Sequence, residues 1–426
     1  MRVAILTMFN GLSNTYSLVN VVREQLYMLL QDNITVKMLV SEHCPDTERT
    51  GIFADERLEW RKIINSKNGK IFNWHTYTRA EDKIHDTFYE EAQLIAQDYV
   101  KELKDVDVCI MHDILYQGAH LVHNVAIRLA QKLLPNVKFL AFTHSAPQIH
   151  IDAPFPISCM FTPMPNTTLV YPTQCGLAAI AKQYSQDISL CACVGNSIDV
   201  MTGMCDEAVD IINKSGYLSR DIIIVYPARL NMAKRFHIIA QLGGMIKRHF
   251  GKSVGIIFCE FEASDIDPDM YKFMIRDLGN KEGLSDKDIV FTSDCGYKNG
   301  VTRQTVFDLF ALSNLYICPS YSESFGLTVL EAASRGNYIV LNEAVPALEE
   351  IGKCINAYFM RWSAKNFGYD TYETYNPTEK IYMLENLNNI LENMENNPVI
   401  KAKTLARTRF CSQYVYEHQL RPLLYD

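Results

Sequence analysis

Short apolar runs alternate with longer amphipathic stretches through the first half of the chain. The apolar runs lie at residues 2–8, 35–40, 106–111 and 138–143. Each has the length and composition of a strand that is buried on both faces. Between them apolar residues recur with helical spacing, as at Val22, Leu26 and Leu29. Strands that alternate with helices indicate a parallel sheet, which binds ligands at the carboxyl ends of its strands.

The same alternation returns in the second half of the chain. Its apolar runs lie at residues 222–226, 253–259, 289–292, 314–318 and 337–340. The length of 426 residues and the hydrophobic content of 48% allow two large cores. We therefore predict an α/β protein of two Rossmann-like, doubly wound parallel-sheet domains, at residues 1–200 and 201–401.

The segment 319–333, with the sequence PSYSESFGLTVLEAA, places a strand end, a polar turn and a helix start in one short run. Pro319 stops the preceding strand, and helical spacing continues up to Gly336. The first amides of a helix have no intrahelical acceptor and lie at the positive end of its dipole. They therefore suit a phosphate or a sugar hydroxyl. The amides predicted at this position are those of Ser324, Phe325 and Gly326.

Two carboxylates, Glu323 and Glu331, lie on either side of this helix start. With a rise of about 1.5 Å per residue, they are expected to lie roughly 12 Å apart. That separation is comparable to the reach from the sugar ring of a nucleotide sugar to its ribose. One carboxylate could hold each end of a single donor molecule.

The segment 319–333 resembles the glycogen-synthase-like group of retaining glycosyltransferases with the GT-B fold. The mark of that group is Glu, seven residues, Glu after a Pro-Ser turn, and the Phe-Gly pair also matches. The resemblance implies two domains that face each other across a cleft, with the C-terminal residues 402–426 crossing back to the first domain. It implies that Glu331 binds the ribose, and that Glu323 orients the donor sugar. The donor contacts in the turn would be Ser324, Phe325, Gly326 and Leu327.

Two cations follow the first strand of the second domain. Arg229 lies at the strand end and Lys234 at the start of the next helix, so both point at one crevice. A diphosphate leaving group gains negative charge as the glycosidic bond breaks, and fixed cations stabilise that charge. The family has the same pattern of Arg, four residues, Lys. The resemblance therefore implies that Arg229 and Lys234 bind the donor diphosphate.

Two residues of the first domain also match family positions. His144 follows the strand 138–143, and the resemblance gives it a catalytic role in contacting the donor sugar and the acceptor. Gly11 lies in the loop after the first strand, which in the family faces the donor phosphates and the acceptor and carries two adjacent glycines. Here Leu12 follows Gly11. The other histidines near strand ends, including His112, are expected to be structural.

Residues 57–79 form a basic stretch that also contains aromatic residues. Its six Lys and Arg side chains and single Glu give a local charge of +5 in a protein whose formal net charge is -8. Phosphates attract cations and bases stack on aromatic rings, so this stretch is a candidate contact for an anionic acceptor. The alternative is a solvated loop whose aromatic residues pack on the core. The candidate acceptor residues are Arg61, Lys62, Lys67 and Trp74.

The residues and the resemblance together predict a metal-independent, retaining glycosyltransferase. Its co-substrate is expected to be a UDP-sugar rather than a GDP-sugar, with no other cofactor, and the leaving phosphate is expected to help deprotonate the acceptor. No cluster of metal ligands is evident, and the chain has no run of 18 apolar residues, so we expect a cytoplasmic protein. The oligomeric state is not predicted.

The acceptor stays open. One hypothesis is a lipid, a glycan or another small molecule, which could be anionic. The other hypothesis is a hydroxylated base in DNA, as for some bacteriophage glycosyltransferases. Two other functions on the same fold also stay open, a nucleotide-sugar isomerase and a non-catalytic sugar-nucleotide sensor. Cys259-Glu260-Phe261-Glu262 stands where the family has a Gly-rich turn, so the nucleotide base is not determined.

Overall fold

The computed structural model describes residues 1–67, 70–72, 76–261, 266–362 and 377–425. The chain divides into two compact units. Unit 1 comprises Met1–Ile198 and Ser412–Asp426, and unit 2 comprises Asp199–Cys411.

Unit 1 is built on a seven-stranded sheet, and all its described strand pairs are parallel. The strands of this sheet are β1 (Arg2–Leu6), β2 (Thr35–Ser41), β3 (Leu58–Ile63), β6 (Val108–His112), β7 (Lys138–Phe142), β8 (Thr167–Tyr171) and β9 (Cys191–Cys193). Two further strands, β4 (Ser66–Lys67) and β5 (Lys70–Ile71), form a separate hairpin. Its first helices are α1 (Ser17–Gln31), α2 (Phe88–Leu103), α3 (Leu121–Gln131) and α4 (Leu177–Gln183). The sheet order is β3-β2-β1-β6-β7-β8-β9.

Helices cover both faces of this sheet, which explains why its central strand β1 is apolar from Val3 to Leu6. Along β1, Ala4 and Leu6 belong to the core that contains α2 and α3. Val3 and Ile5 point to the other face and belong to the core that contains α1. Successive side chains of a strand alternate between faces, so a strand covered on both sides must be apolar at every position.

Unit 2 has a six-stranded sheet in the order β12-β11-β10-β13-β14-β15, and its described strand pairs are also parallel. Its strands are β10 (Ile222–Arg229), β11 (Val254–Phe261), β12 (Ile289–Phe291), β13 (Leu315–Cys318), β14 (Tyr338–Asn342) and β15 (Tyr358–Met360). Its helices are α5 (Asp206–Ser215), α6 (Phe236–Phe250), α7 (Pro268–Glu282), α8 (Arg303–Leu312), α9 (Leu327–Ser334), α10 (Pro346–Ile355), α11 (Pro377–Asn396) and α12 (Pro398–Arg409). The predicted architecture of two parallel-sheet α/β units is confirmed.

The C-terminal segment of the chain packs on unit 1. It consists of α13 (Ser412–Val415), a π-helical turn (Tyr416–Leu420) and α14 (Arg421–Tyr425). The Tyr416 hydroxyl and Arg421 Nε each donate to Asp32 Oδ2, at 2.8 Å. The preceding helix α12 belongs to unit 2, so the segment that joins unit 1 begins at Ser412, ten residues after the expected start at 402.

Within the described ranges, none of the helices combines the length and apolar character that crossing a bilayer requires.

Candidate functional site

Two loops of unit 2 are joined where β10 and β13 end. These strands are hydrogen-bonded neighbours in the sheet, with Ile224 paired to Leu315. The backbone amide of Tyr321, after β13, donates to the Ala233 carbonyl, after β10, at 2.9 Å. The Ser320 hydroxyl donates to the same carbonyl at 3.3 Å. The loop that carries Arg229 and Lys234 is therefore fixed against the loop that carries Glu323.

Lys234 and Glu323 form an ion pair between these loops. Lys234 Nζ lies 2.5 Å from Glu323 Oε1, and the two side chains are 24% and 19% exposed. The backbone of Lys234 is held on both sides, since its amide donates to Asn231 Oδ1 at 3.2 Å and its carbonyl accepts from the Tyr226 hydroxyl at 3.0 Å. Arg229 is exposed at the end of β10, and none of the described acids pairs with it. Of the two predicted diphosphate cations, Lys234 is therefore already neutralised.

The helix after the turn begins later than the sequence predicts. α9 starts at Leu327, and Gly326 precedes it in the left-handed conformation with φ of 85°. The prediction that Ser324 and Phe325 provide the first helical amides is therefore wrong, because both lie in a non-helical turn. The estimate of roughly 12 Å between the carboxylates assumed a continuous helix and no longer applies.

The turn nevertheless presents free donors. Ser324 and Phe325 are exposed, as is the first helical residue Leu327. Among the residues that the structure describes, none accepts a hydrogen bond from the amides of Ser324, Phe325 or Gly326. A Cβ on residue 326 would lie 3.2 Å from the Val329 side chain, which together with the positive φ explains the glycine.

A buried polar side chain contacts the turn from the interior of unit 2. Asn342, at the end of β14, donates to the Ser320 carbonyl and accepts from the amides of Ala344 and Trp362, each at 3.1 Å. This fully buried amide thus ties the turn, through the Ser320 carbonyl, to the segments that follow β14 and β15.

Glu331 is held by a residue that the sequence analysis did not identify. Arg303, the first residue of α8, places both Nε and Nη2 at 2.8 Å from Glu331 Oε1. The Glu331 side chain is only 12% exposed, whereas that of Arg303 is 74% exposed. The guanidinium thus occupies one oxygen of the proposed ribose-binding carboxylate. No local motif signals this pair, because its members are 28 residues apart.

Cys259, Glu260 and Phe261, which stand where the family has a Gly-rich turn, belong to strand β11, and Glu260 is a buried acid with a structural role. Glu260, near the end of β11, accepts from the Thr292 amide and hydroxyl at 3.0 and 3.1 Å, and Lys272 Nζ lies 2.9 Å away. These contacts tie β11 to the segment after β12. Residue 262 lies outside the described residues.

Unit 1 has a cavity of about 270 Å³ where β1 and β6 end. Its polar lining residues include Thr7, Asn10, Gly11, Tyr16, Asp113 and Gln117. The predicted donor-loop residue Gly11 is thus part of this wall. A Cβ there would approach Glu48 Oε2 to 3.0 Å, and the same oxygen accepts from the Leu12 amide.

Asp113 is the buried acid of this cavity. It follows β6 directly and adopts φ of 59°, a conformation uncommon for a residue with a side chain. Asp113 Oδ1 accepts from the backbone amide of His144 at 2.9 Å, and Oδ2 accepts from Gln117 Nε2 at 3.2 Å. Burial raises the pKa of Asp113, and these two hydrogen bonds oppose that rise. Asp113 therefore connects the cavity to the loop of His144.

His144 lies in a row of three polar side chains. Its Nε2 is 2.9 Å from His112 Nδ1, and His112 Nε2 is 3.0 Å from Gln25 Oε1. Burial lowers the pKa of His144 to about 4. Burial, and then the neighbouring His144, lower the pKa of His112 well below its usual value. His112 was expected to be structural, yet it is in direct contact with the candidate catalytic histidine.

The basic stretch is paired with acids along most of its described length. Arg57 binds Asp55 at 2.8 Å, Arg61 lies 3.5 Å from Glu59 and 3.4 Å from Glu102, Lys62 lies 3.1 Å from Asp46, and Lys67 contacts Glu90. These acids offset the local charge of +5 that the stretch has by itself. Trp74 lies outside the described residues. The roles of Arg61, Lys62, Lys67 and Trp74 as acceptor contacts stay predictions.

Within the described part of the chain, no group of three or more His, Cys, Asp or Glu side chains is arranged to hold a metal ion.

No protein-family model and no curated protein matches the chain. Similar solved structures include a glycosyltransferase from Rickettsia africae, 14% identical over 100% of this chain and 96% of that one, with a TM-score of 0.35. Anabaena HepE in complex with UDP-glucose is 12% identical over 100% of both chains, with a TM-score of 0.36. The lipopolysaccharide galactosyltransferase WaaB is 13% identical over 98% of this chain and 97% of that one, with a TM-score of 0.34. TM-scores this low do not indicate a shared function.

Fold and site together define a protein of two Rossmann-like units. Each unit places polar and charged side chains where its parallel strands end, which is where ligands bind in such folds.

Proposed function

We propose that this chain is a glycosyltransferase that transfers a sugar from a nucleoside diphosphate sugar to an acceptor hydroxyl. The observation that carries the proposal is the contact between Lys234 and Glu323. Lys234 of the Arg-x4-Lys segment and Glu323 of the Glu-x7-Glu segment are 89 residues apart in the sequence. Yet Lys234 Nζ lies 2.5 Å from Glu323 Oε1. Two separate matches to one family's donor site thus meet at one place in unit 2.

The described contacts support a division of roles within the donor site. Arg229 is exposed and unpaired among the described acids, so it is available to a phosphate, and charge-assisted bonds to phosphate are strong. The amides of Ser324, Phe325 and Gly326 offer further donors. Glu331 retains Oε2 for a ribose hydroxyl, because Arg303 occupies Oε1. Glu323 would contact the donor sugar once Lys234 has turned to the diphosphate.

The finer statements of the proposal rest on the family resemblance. They are the retention of configuration, the GT-B arrangement of the two units, a UDP-sugar as donor and the contact of His144 with the donor sugar. In front-face substitution the bond from the anomeric carbon to the leaving phosphate breaks as the acceptor oxygen attacks from the same side. The leaving phosphate accepts the acceptor proton, so no protein nucleophile is needed.

The unit 1 cavity supports a small hydroxylated acceptor. Its volume of about 270 Å³ lies near the lower end of small-molecule sites, and Asp113 and Gln117 give it hydrogen-bonding groups. No described observation favours DNA, because four of the cations in the basic stretch are paired with acids. We therefore propose an acceptor that enters this cavity with a hydroxyl-bearing end.

Thermal unfolding with UDP, GDP, ADP, TDP and UDP-glucose tests the donor site. A ligand at 100 times its Kd stabilises the folded state by about 2.7 kcal/mol, which raises the Tm of a unit this size by roughly 5–10 °C. We expect a shift with UDP that Glu331→Ala abolishes. The matched control is Glu349→Ala, which removes an exposed acid that is paired with Lys353.

Three other outcomes have distinct meanings. The absence of a shift with every nucleotide would refute the donor site. Conversion of UDP-glucose to another sugar nucleotide without an acceptor would indicate an isomerase. Tight binding with no turnover of the donor, alone or with a panel of acceptors, would indicate a sensor.

A further inference from the structure

The side chains of Gln25, His112 and His144 form a continuous hydrogen-bonded row behind the candidate catalytic position of unit 1. Gln25 and His112 are both buried, at 9% and 2% exposure. The His112 and His144 rings stack at a centroid distance of 5.1 Å with an interplanar angle of 23°. Phe142 stacks on His144 at 6.0 Å and 17°. The orientation of the His144 ring is therefore fixed by packing as well as by hydrogen bonding.

The polarity of this row follows from the atoms at its inner end. Gln25 Oε1 can only accept a hydrogen bond, so His112 Nε2 must carry a proton. A neutral imidazole has a single N–H, which leaves His112 Nδ1 as an acceptor. The 2.9 Å contact then requires His144 to donate from Nε2. A neutral His144 is consequently unprotonated at Nδ1.

The second observation concerns the end of the row that is farthest from Gln25. His144 Nδ1 is buried and has no hydrogen-bond partner within the described residues. Buried nitrogens are normally satisfied, so an unpartnered acceptor next to a candidate site points to a donor that is supplied by a ligand. A sugar hydroxyl is such a donor, whereas a phosphate oxygen is not.

We propose that His112 is a positioning residue that, anchored by Gln25, fixes the tautomer of His144 and keeps Nδ1 free to accept a hydrogen bond from a substrate hydroxyl. The identity of the substrate rests on the proposed function, but the tautomer does not. Replacing His112 removes the group that receives the Nε2 proton, so His144 is then free to carry its proton on either nitrogen.

Nitrogen-15 NMR of the histidine rings tests the tautomer without any substrate. The His144 signals are assigned by their loss in His144→Gln. In the wild-type protein we expect His144 protonated at Nε2 and unprotonated at Nδ1. In His112→Phe, and independently in Gln25→Leu, we expect a mixture of the two tautomers. The matched control is His123→Phe, because His123 is also buried and bonds Tyr99 at 2.9 Å without contacting His144.

Turnover of UDP-glucose provides the functional readout. Partners that orient metal-ligating imidazoles are worth about 10–100-fold, and by analogy we expect His112→Phe to lower kcat by that factor with UDP affinity unchanged. His123→Phe should retain the wild-type kcat. A wild-type His144 protonated at Nδ1, or a tautomer that is unchanged in both variants, would overturn the inference. A failure of UDP to bind would instead refute the proposed function and leave the NMR result interpretable.

Discussion

Replacing Glu323 by glutamine should tighten the binding of UDP. In this structure Lys234 Nζ is 2.5 Å from the Glu323 carboxylate, so a diphosphate must compete with that carboxylate for the ammonium. The Glu323→Gln substitution keeps the shape of the side chain and removes its charge. Lys234 then becomes available, and the repulsion between the carboxylate and the diphosphate disappears.

The degree of exposure sets the size of this effect. Exposed ion pairs are worth about 0.2–1 kcal/mol, and breaking a fully buried pair costs about 3–5 kcal/mol. With side chains that are 24% and 19% exposed, the pair lies between these cases, so the upper limit of the exposed range is the smallest effect expected. We expect at least about 1 kcal/mol, which is roughly fivefold in Kd. Lys234→Met should act in the opposite direction, because a hydrogen bond to a charged group contributes about 1.5–3 kcal/mol, or roughly 10–150-fold.

Isothermal titration of UDP into both variants measures these changes. The expected gain in Glu323→Gln should shrink at high salt, since partly exposed charges are screened. The matched control is Glu349→Gln, which removes another acid of unit 2 with a Lys at 2.5 Å and should leave the Kd unchanged. The reasoning is refuted if Glu323→Gln weakens UDP binding, or if Lys234→Met binds UDP as the wild type does.

Three further predictions follow from the site and the core. Gly326→Ala should lower the Tm of unit 2 by about 2–8 °C in calorimetry, because a side chain at φ of 85° costs roughly 1–2 kcal/mol. Arg303→Met should change the affinity for UDP but not for inorganic pyrophosphate in a titration, because the acid that Arg303 contacts is the proposed ribose carboxylate. Burial lowers the pKa of His120 and His144 to about 4 from 6.5, so the unfolded chain binds more protons between these values. Denaturation of unit 1 should therefore require less urea as the pH falls from 6.5 to 4.

The edge strand β3 was not predicted, because Glu59, Arg61 and Lys62 interrupt its apolar pattern. The central strands of both sheets were predictable, because strands covered on both faces are mostly apolar and such runs stand out in the sequence. Their ends were less predictable. The first strand was expected to reach residue 8, but β1 ends at Leu6, and Met8 and Phe9 line the unit 1 cavity instead. Burial in a cavity wall and burial in a sheet demand the same apolar residues, so composition cannot separate them.

The start of α9 shows a second limit. The helical spacing after Pro319 is real, but it does not say where the first turn begins. Gly326 is compatible with a helix interior and with a left-handed cap, and the chain adopts the cap. A side chain at this position would meet Val329 and Leu348, and Leu348 is brought there by tertiary packing that the local sequence does not reveal.

Charge pairing was the least predictable feature. The basic stretch has a charge of +5 when its own residues are counted, yet Lys62 pairs with Asp46 and Arg61 with Glu102. The same holds for the contact of His112 with His144, which are 32 residues apart. A linear count of charge sums only neighbours in sequence, whereas the field at a site depends on neighbours in space.

Both carboxylates of the segment 319–333 are engaged by cations, Glu323 by Lys234 and Glu331 by Arg303. If UDP-sugar binds as proposed, it must exchange for the first of these contacts rather than fill an open site. A diphosphate that draws Lys234 away releases Glu323 Oε1, and both oxygens of that carboxylate can then contact the sugar. Coupling of this kind is reciprocal, so a sugar that engages Glu323 must in turn strengthen the binding of the diphosphate. The family resemblance proposes which residues meet the donor, and the ion pair suggests the order in which they would do so.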